Sequence, residues 1–100
     1  MQDMEINQGV KLSRETENAL LVDVRTEAEY AAGHIPGSIN FPLNRIPLFP
    51  QEYADTGMTL CLYCQSGGRS GRAARFLESQ GYETVYNLGG IGGYSGGLEK

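Results

Sequence analysis

Two short and nearly continuous apolar runs, Ala19–Val24 and Met58–Tyr63, are the features that most constrain the fold of this chain. Runs of this length without polar alternation are typical of strands that are covered on both faces, as in a parallel sheet. Parallel strands must be joined by crossover connections, and helix-like segments lie between the strand-like runs as this requires. The sequence therefore predicts an α/β domain with a mainly parallel sheet.

Local signals predict the elements around these strands. Thr26 and Glu29 form a Thr-x-x-Glu capping box, which opens a short helix that ends by Gly33. A second helix is predicted over Gly71–Gln80. The other predicted elements are brief strands at Asp3–Ile6 and Thr84–Leu88, a helix that is capped by Asn7 and reaches about Arg14, and irregular structure around Pro42, Pro47 and Pro50.

Length and charge limit the kinds of function that are open to the chain. Its 100 residues predict a single domain, 1–100, with room for a small core and one surface site. A net charge of −4 argues against a general nucleic-acid binder. No apolar run approaches the ~18 residues of a membrane span, and the first residues lack the pattern of a signal peptide. We therefore expect a soluble, cytoplasmic protein with neither a nucleic-acid nor a membrane partner.

One segment between a predicted strand and a predicted helix combines several features of an anion site. It consists of Cys64, Gln65, Ser66, Gly67, Gly68, Arg69 and Ser70. Ligands of open α/β sheets bind beyond the carboxyl ends of the strands, which is where this segment lies. Gly67 and Gly68 can adopt positive φ, so the loop can curl with its amides pointing inward. The helix N-terminus and the guanidinium of Arg69 would add positive charge.

These surroundings predict a reactive thiol at Cys64. Amides, a helix N-terminus and an arginine lower a thiol pKa and populate the thiolate, which is a nucleophile. The same cradle would stabilise a terminal sulfur anion on Cys64 or hold an oxyanion. Ser66 and Ser70 also have a simpler interpretation as helix caps, and Cys61 is expected to be a buried small apolar residue. Arg72 and Arg75 are expected to face solvent.

Three motifs in order resemble the rhodanese homology domain. Leu21–Arg25, followed by Glu29-Tyr30 and Gly33–Asn40, is similar to the first signature of that family. Tyr63–Ser70 is similar to its active-site loop, and Asn87–Ile91 to its C-terminal glycine motif. The resemblance implies a three-layer α/β/α fold with a five-stranded, mainly parallel sheet. It also implies sulfurtransferase activity in which Cys64 accepts a sulfur atom as a persulfide.

The resemblance further implies supporting roles for three polar residues. Asp23 and Arg25 would pair with each other and support the loop, and His34 would make structural hydrogen bonds. Two cysteines and one histidine, widely spaced, are too few for a zinc site, and we expect neither metal nor cofactor. The chain departs from the family in having Tyr94 where a tryptophan is frequent. Its loop contains a single arginine, which leaves the preferred donor open.

The favoured function is transfer of sulfane sulfur from a donor such as thiosulfate to cyanide, a small thiol or a protein thiol. Three alternatives remain at this stage. A dithiol redox protein would use the C-x-x-C pair Cys61 and Cys64, but in a strand their side chains would point to opposite faces. A phosphatase is disfavoured because related phosphatases have a loop one residue longer than the six residues Cys64–Arg69, and no aspartate lies nearby as an acid. The third alternative is a non-catalytic or sulfur-carrier binding module of the same fold.

Overall fold

The computed structural model describes all residues from 1 to 100 and contains one five-stranded sheet. The strand order is β1-β5-β4-β2-β3, and every pair of neighbouring strands is parallel. The strands are β1 (Gln2–Asp3), β2 (Ala19–Asp23), β3 (Ile39–Asn40), β4 (Thr59–Cys64) and β5 (Thr84–Gly90). The predicted α/β class is confirmed, and the two apolar runs form the adjacent strands β2 and β4.

Helices cover both faces of this sheet. They are α1 (Ile6–Glu15), α2 (Glu27–Ala32), α3 (Phe49–Glu52) and α4 (Gly68–Ser79), with short 3-10 segments at Leu43–Leu48 and Ile91–Gly93. None of the helices has the length and apolar character needed to cross a lipid bilayer.

Two separate apolar cores lie on the two faces of the sheet, which confirms the three-layer arrangement. The larger core joins the sheet to α4, α3 and the 3-10 segment Leu43–Leu48. Its members include Val22, Leu60, Leu62, Phe49 and Leu77. The smaller core joins the sheet to α1; it includes Ile6, Val10, Leu21, Cys61, Tyr63 and Leu88. Successive residues of β4 alternate between these cores because side chains of a strand alternate between its faces.

The capping box is confirmed, whereas the predicted start of α1 is wrong. Thr26 Oγ1 accepts from the Glu29 amide, and the Glu29 carboxylate accepts from the Thr26 amide. Helix α1 begins at Ile6 and is capped by Glu5, whose carboxylate accepts from the amides of Asn7 and Gln8. Asn7 therefore lies in the first turn, and the first strand cannot extend to Ile6.

Helix α4 begins three residues before its predicted start. Gly67 adopts a left-handed conformation (φ 96°) and is the residue at which the chain leaves the loop. Only glycine enters this region at little cost, so the reversal brings the chain into the helix directly at Gly68. Ser70 consequently lies inside the first turn and not at the cap.

The hydroxyl of Tyr63 ties the end of β4 to the turn that precedes β3. It accepts a hydrogen bond from the Ile35 amide (3.1 Å) and lies 3.1 Å from Ser38 Oγ. The single hydroxyl proton of Ser38 points to the Ile35 carbonyl (2.7 Å), so Tyr63 donates to Ser38. All three residues are buried, and the Tyr63 hydroxyl therefore satisfies polar groups that no water reaches.

Replacing this hydroxyl provides a direct measure of its contribution. We expect Tyr63→Phe to lower the free energy of unfolding by about 1–2 kcal/mol, because the Ile35 amide loses its partner in a buried position. The matched control is Tyr86→Phe, on the neighbouring strand, where the half-buried tyrosine makes no hydroxyl hydrogen bond and the change should stay within about 0.5 kcal/mol. Urea denaturation of both variants measures the difference, and equal losses would contradict this assignment.

Candidate active site

The candidate site is built where β4 ends and α4 begins. Cys64 is the last residue of β4 and Gly68 is the first of α4, so only three residues form the connecting loop. Cys64 is fully buried, and its backbone pairs with Gly90 at the end of β5, next to an irregularity in the strand register. The thiol is thus carried by the rigid end of a central strand, as the sequence predicts.

Donors from the loop and the first helical turn surround the sulfur atom. The Gly67 amide donates to Cys64 Sγ at 2.9 Å, and Ser70 Oγ lies 3.4 Å from the same atom. Burial alone would raise the pKa of the thiol. The single Ser70 hydroxyl proton has a closer acceptor in Asn87 Oδ1 (2.6 Å) and must turn away from it to reach the sulfur. Donation from this hydroxyl to the thiolate, together with the backbone amides of Ser70, Ser66 and Gly67, outweighs burial and holds the pKa of Cys64 below its ordinary value.

Asn87, on β5, is a residue of this site whose role the sequence does not reveal. Its Oδ1 accepts from Ser70 Oγ (2.6 Å) and from the Gly89 amide (3.0 Å), while its Nδ2 donates to the Gly67 carbonyl (3.3 Å). Because the Gly89 amide can only donate, the Asn87 atom that faces it must be the oxygen Oδ1, and this fixes the orientation of the Asn87 side chain. Asn87 therefore positions the two residues that contact the Cys64 sulfur. The only sequence signal for Asn87 is its position at the start of the motif Asn87–Ile91, two residues before Gly89 and Gly90.

Two glycines allow the loop to lie close to β5. A Cβ atom at Gly90 would come within 2.6 Å of the Gln65 carbonyl oxygen, a distance that no side chain tolerates. A Cβ atom at Gly67 would lie 3.3 Å from the Gly89 Cα, and the positive φ of Gly67 favours glycine independently. Gly68 differs from the prediction: its φ is not positive and open space surrounds it, because it is already the first helical residue.

Asp23 and Arg25 form a buried ion pair beside the loop. Asp23 Oδ2 accepts from Arg25 Nη2 at 2.7 Å, and Asp23 Oδ1 accepts from the Arg25 backbone amide at 2.8 Å. The same guanidinium donates to the Gly33 carbonyl (2.6 Å) and to Gln65 Oε1 (3.3 Å). The geometry matches the pairing and loop support that the family resemblance implies, since Arg25 connects β2 to the residue that follows Cys64.

Arg69 is placed differently from the sequence-based expectation. Both arms of its guanidinium donate to the carboxylate of Glu29, at 2.7 and 2.9 Å, and neither donates to Cys64 Sγ. The bond from Arg69, followed by that from the Thr26 amide, lowers the pKa of Glu29 to about 2. The positive charge expected to face a ligand is therefore balanced by a carboxylate from α2.

The remaining polar candidates lie in structural positions. Cys61 is buried in the core opposite that of Cys64, and burial raises its pKa to about 11.

The His34 ring stacks on Tyr30 with 3.7 Å between centroids, and its Nδ1 lies 2.9 Å from the Tyr30 carbonyl oxygen. Tyr94 packs against the smaller core, and its hydroxyl accepts from Arg14 of α1 at 3.5 Å. The side chains of Arg72 and Arg75 are exposed, as expected.

Comparison with known proteins agrees with this geometry. The family model described as the rhodanese-like domain matches residues 7–97. A protein of Allochromatium vinosum named sulfurtransferase is 45% identical over 78 residues, covering 77% of this chain and 72% of that protein. Escherichia coli PspE, named thiosulfate sulfurtransferase, is 35% identical over 71 residues, covering 70% of this chain and 68% of that protein.

A solved structure of a Staphylococcus saprophyticus protein has the same overall fold. It superposes with a TM-score of 0.82 at 32% identity, and the match covers 100% of both chains. Two other curated relatives, from Bacillus subtilis and Synechocystis, are longer, and the matched region covers only 56% and 42% of them. The extent of the family match, together with the strand-loop-helix geometry around Cys64, establishes that this chain belongs to the rhodanese-like domain family, which includes relatives named sulfurtransferases.

Proposed function

We propose that this protein is a sulfurtransferase that carries sulfane sulfur as a persulfide on Cys64. The observation that carries this proposal is the set of donors around Cys64 Sγ, led by the Gly67 amide at 2.9 Å. These donors outweigh burial and lower the pKa of the Cys64 thiol, which increases the fraction present as thiolate. A thiolate held at the end of a rigid strand is prepared to attack without a general base.

The first half-reaction balances without any additional cofactor. The Cys64 thiolate attacks the outer sulfur of thiosulfate, a sulfur–sulfur bond forms on the protein, and the sulfur–sulfur bond of the donor breaks. Sulfite leaves with the electron pair of the broken bond, and the persulfide anion on Cys64 remains. The inward-facing amides and the N-terminus of α4 favour that anion, as they favour the thiolate.

The second half-reaction returns the enzyme to its starting state. A thiophilic acceptor, such as cyanide, a small thiol or a protein thiol, attacks the outer sulfur of the persulfide. The bond between the two sulfur atoms breaks, and the electron pair stays on Cys64 as a thiolate. Donor and acceptor bind in turn, so a single small site suffices. Thiosulfate is the first donor to test because Escherichia coli PspE is named for it.

The geometry weakens two of the alternatives. Cys61 and Cys64 lie in cores on opposite faces of the sheet and are both free, which argues against a dithiol redox pair. Asp23 and Glu29 are the acidic side chains that flank the loop, and each is bonded to an arginine. Neither is placed to donate the proton that a phosphatase leaving group needs. We further propose a cytoplasmic location, because the thiol must stay reduced between cycles.

Cys64→Ser tests the persulfide directly. After treatment with thiosulfate and removal of the donor, intact-mass spectrometry should show one added sulfur atom on the native chain and none on the variant. Circular dichroism should show an unchanged fold, since serine is close in size. An unmodified native chain with thiosulfate and with other sulfane donors would contradict the proposal, and loading without release to any acceptor would favour the sulfur-carrier alternative.

Cys61→Ser is the matched control and separates the dithiol alternative. Its sulfur loading and its turnover rate should stay within about twofold of those of the native chain, because Cys61 lies in the opposite core. Its stability should fall by about 1–3 kcal/mol, because a hydroxyl replaces a buried thiol without a hydrogen-bond partner. Rates are therefore compared below the melting temperature of the variant. Loss of transfer in the folded variant would contradict the single-cysteine mechanism.

The rate of sulfur loading should depend on pH through the thiolate of Cys64. The rate rises as pH rises through the pKa and levels off above it; because that pKa is lowered, the plateau should begin below the pH that a free cysteine requires. Ser70→Ala removes the hydroxyl that most stabilises the thiolate and should move the plateau to higher pH. Ser79→Ala, an exposed position near the end of α4, should leave the profile unchanged. Coincident Ser70→Ala and native profiles would contradict the role of the hydroxyl.

A further inference from the structure

Both arginines next to the sulfur site are already paired with carboxylates. Arg25 is bound to Asp23 in the interior, and both arms of Arg69 are bound to Glu29 at the mouth of the loop. The formal charges of these four flanking side chains therefore sum to zero, although the sequence places an arginine in the loop. An incoming anion is attracted by backbone amides and the α4 N-terminus rather than by an unpaired cation.

The capping box holds Glu29 in the position from which it neutralises Arg69. One carboxylate oxygen, Oε1, accepts from the Thr26 amide (3.0 Å) and the Thr26 hydroxyl (3.1 Å) as well as from Arg69. The side chains of Glu29 and Arg69 are each about one-third exposed, so the pair sits at the surface but is anchored at one end. An ion pair fixed in this way loses less to side-chain disorder than a pair between two mobile chains.

The charge of Arg69 interacts with that of Cys64: the Glu29 carboxylate raises the pKa of Arg69 most, and the Cys64 thiolate raises it further. Arg69 borders a shallow cleft of about 230 Å³ that is also lined by Val24, Thr26, Pro42, Leu43 and Asn44. It lies at the second position of α4, one residue before Ser70, whose hydroxyl reaches the Cys64 sulfur. Without its bonds to Glu29, the guanidinium of Arg69 could donate two parallel hydrogen bonds to an oxyanion bound beside the loop.

We propose that Glu29 is a specificity-determining residue that withholds the charge of Arg69 from anionic sulfur donors. The inference rests on the proposed sulfur transfer at Cys64 for its biological meaning. With Glu29 in place, a doubly charged donor gains little over a singly charged one, because the two ion pairs that flank the loop carry no net charge to attract it. Donors are then selected by the fit of their outer sulfur to the loop amides, and only weakly by their charge.

Anion binding to an unreactive chain tests this proposal without relying on catalysis. On a Cys64→Ser background, Glu29→Gln removes the negative charge but keeps an oxygen that can accept from the Thr26 amide, so the capping box can persist. Thiosulfate binding is followed by the amide chemical shifts of residues 65–70. We expect Glu29→Gln to tighten the dissociation constant by roughly tenfold at low ionic strength, as expected from removing a unit charge near a dianion at the protein surface. The gain should shrink in ~1 M salt.

Glu27→Gln is the matched control. Glu27 lies in the same first turn of α2, is exposed, and makes no ion pair, so its replacement removes the same formal charge from the same end of the same helix. We expect it to change the dissociation constant by less than about twofold, since an exposed charge without contact to Arg69 is screened. Equal tightening by the two variants, or no tightening by Glu29→Gln, would overturn the proposal.

Kinetics on the chain that retains Cys64 add a second, independent measurement. Glu29→Gln should lower the KM for thiosulfate by a similar factor while changing kcat by less than about twofold, since the donors to the sulfur atom are untouched. Adding Arg69→Gln to Glu29→Gln should abolish the gain. Absence of sulfur loading in every chain would refute the proposed function, whereas the anion affinities of the Cys64→Ser chains would still decide the role of Glu29.

Discussion

The close backbone approach between the end of β5 and the loop after Cys64 is the constraint on which the site depends. Gly90 has no side chain to keep the Gln65 carbonyl away, and a Cβ there would come within 2.6 Å of that oxygen. This approach lets Asn87 reach both the Gly67 carbonyl and Ser70 Oγ. The Gly67 amide is thereby aimed at Cys64 Sγ, so backbone packing in the sheet determines the chemistry of the thiol.

Backbone donors, rather than side-chain cations, supply the electrostatic stabilisation at Cys64. The arginines on either side of the loop have structural partners: Arg25 ties Asp23 to Gln65, and Arg69 ties α4 to Glu29. Fixed amides have an advantage here, because they are already oriented and lose no side-chain entropy when the sulfur becomes charged. In the proposed cycle, the persulfide anion would carry the same single charge as the thiolate, so the same backbone donors could stabilise both states.

Features encoded over a few neighbouring residues could be predicted from the sequence, whereas those that join distant elements could not. The apolar runs predicted β2 and β4, and the Thr26–Glu29 box predicted the start of α2. The position of Cys64 at the end of a buried strand likewise predicted that loop amides would point at its sulfur. The partner of Arg69 lies 40 residues away in sequence, so the loop itself gives no sign that its charge is balanced.

The same limit applies to Asn87 and to the glycines near the C-terminus. Ser70 was assigned to the anion-binding loop, with helix capping as its simpler interpretation, and its contact with Asn87 of β5, 17 residues further along the chain, was not foreseen. Gly90 is required by its approach to Gln65, which is a property of strand register and not of local sequence. The sequence showed that glycine is concentrated near the C-terminus. The structural reason for Gly90, its close approach to the Gln65 carbonyl, is visible only in the packing of β5 against the loop.

Burial of Cys64 has opposing effects, and their balance fits a sulfur carrier. Exclusion of water raises the pKa of the thiol, which by itself would suppress the nucleophile, yet it also strengthens each hydrogen bond to the sulfur. With the amides of Ser66, Gly67 and Ser70 directed at the site, the second effect prevails, and the pKa of the buried thiol is lowered instead of raised, which increases the fraction available as a nucleophile.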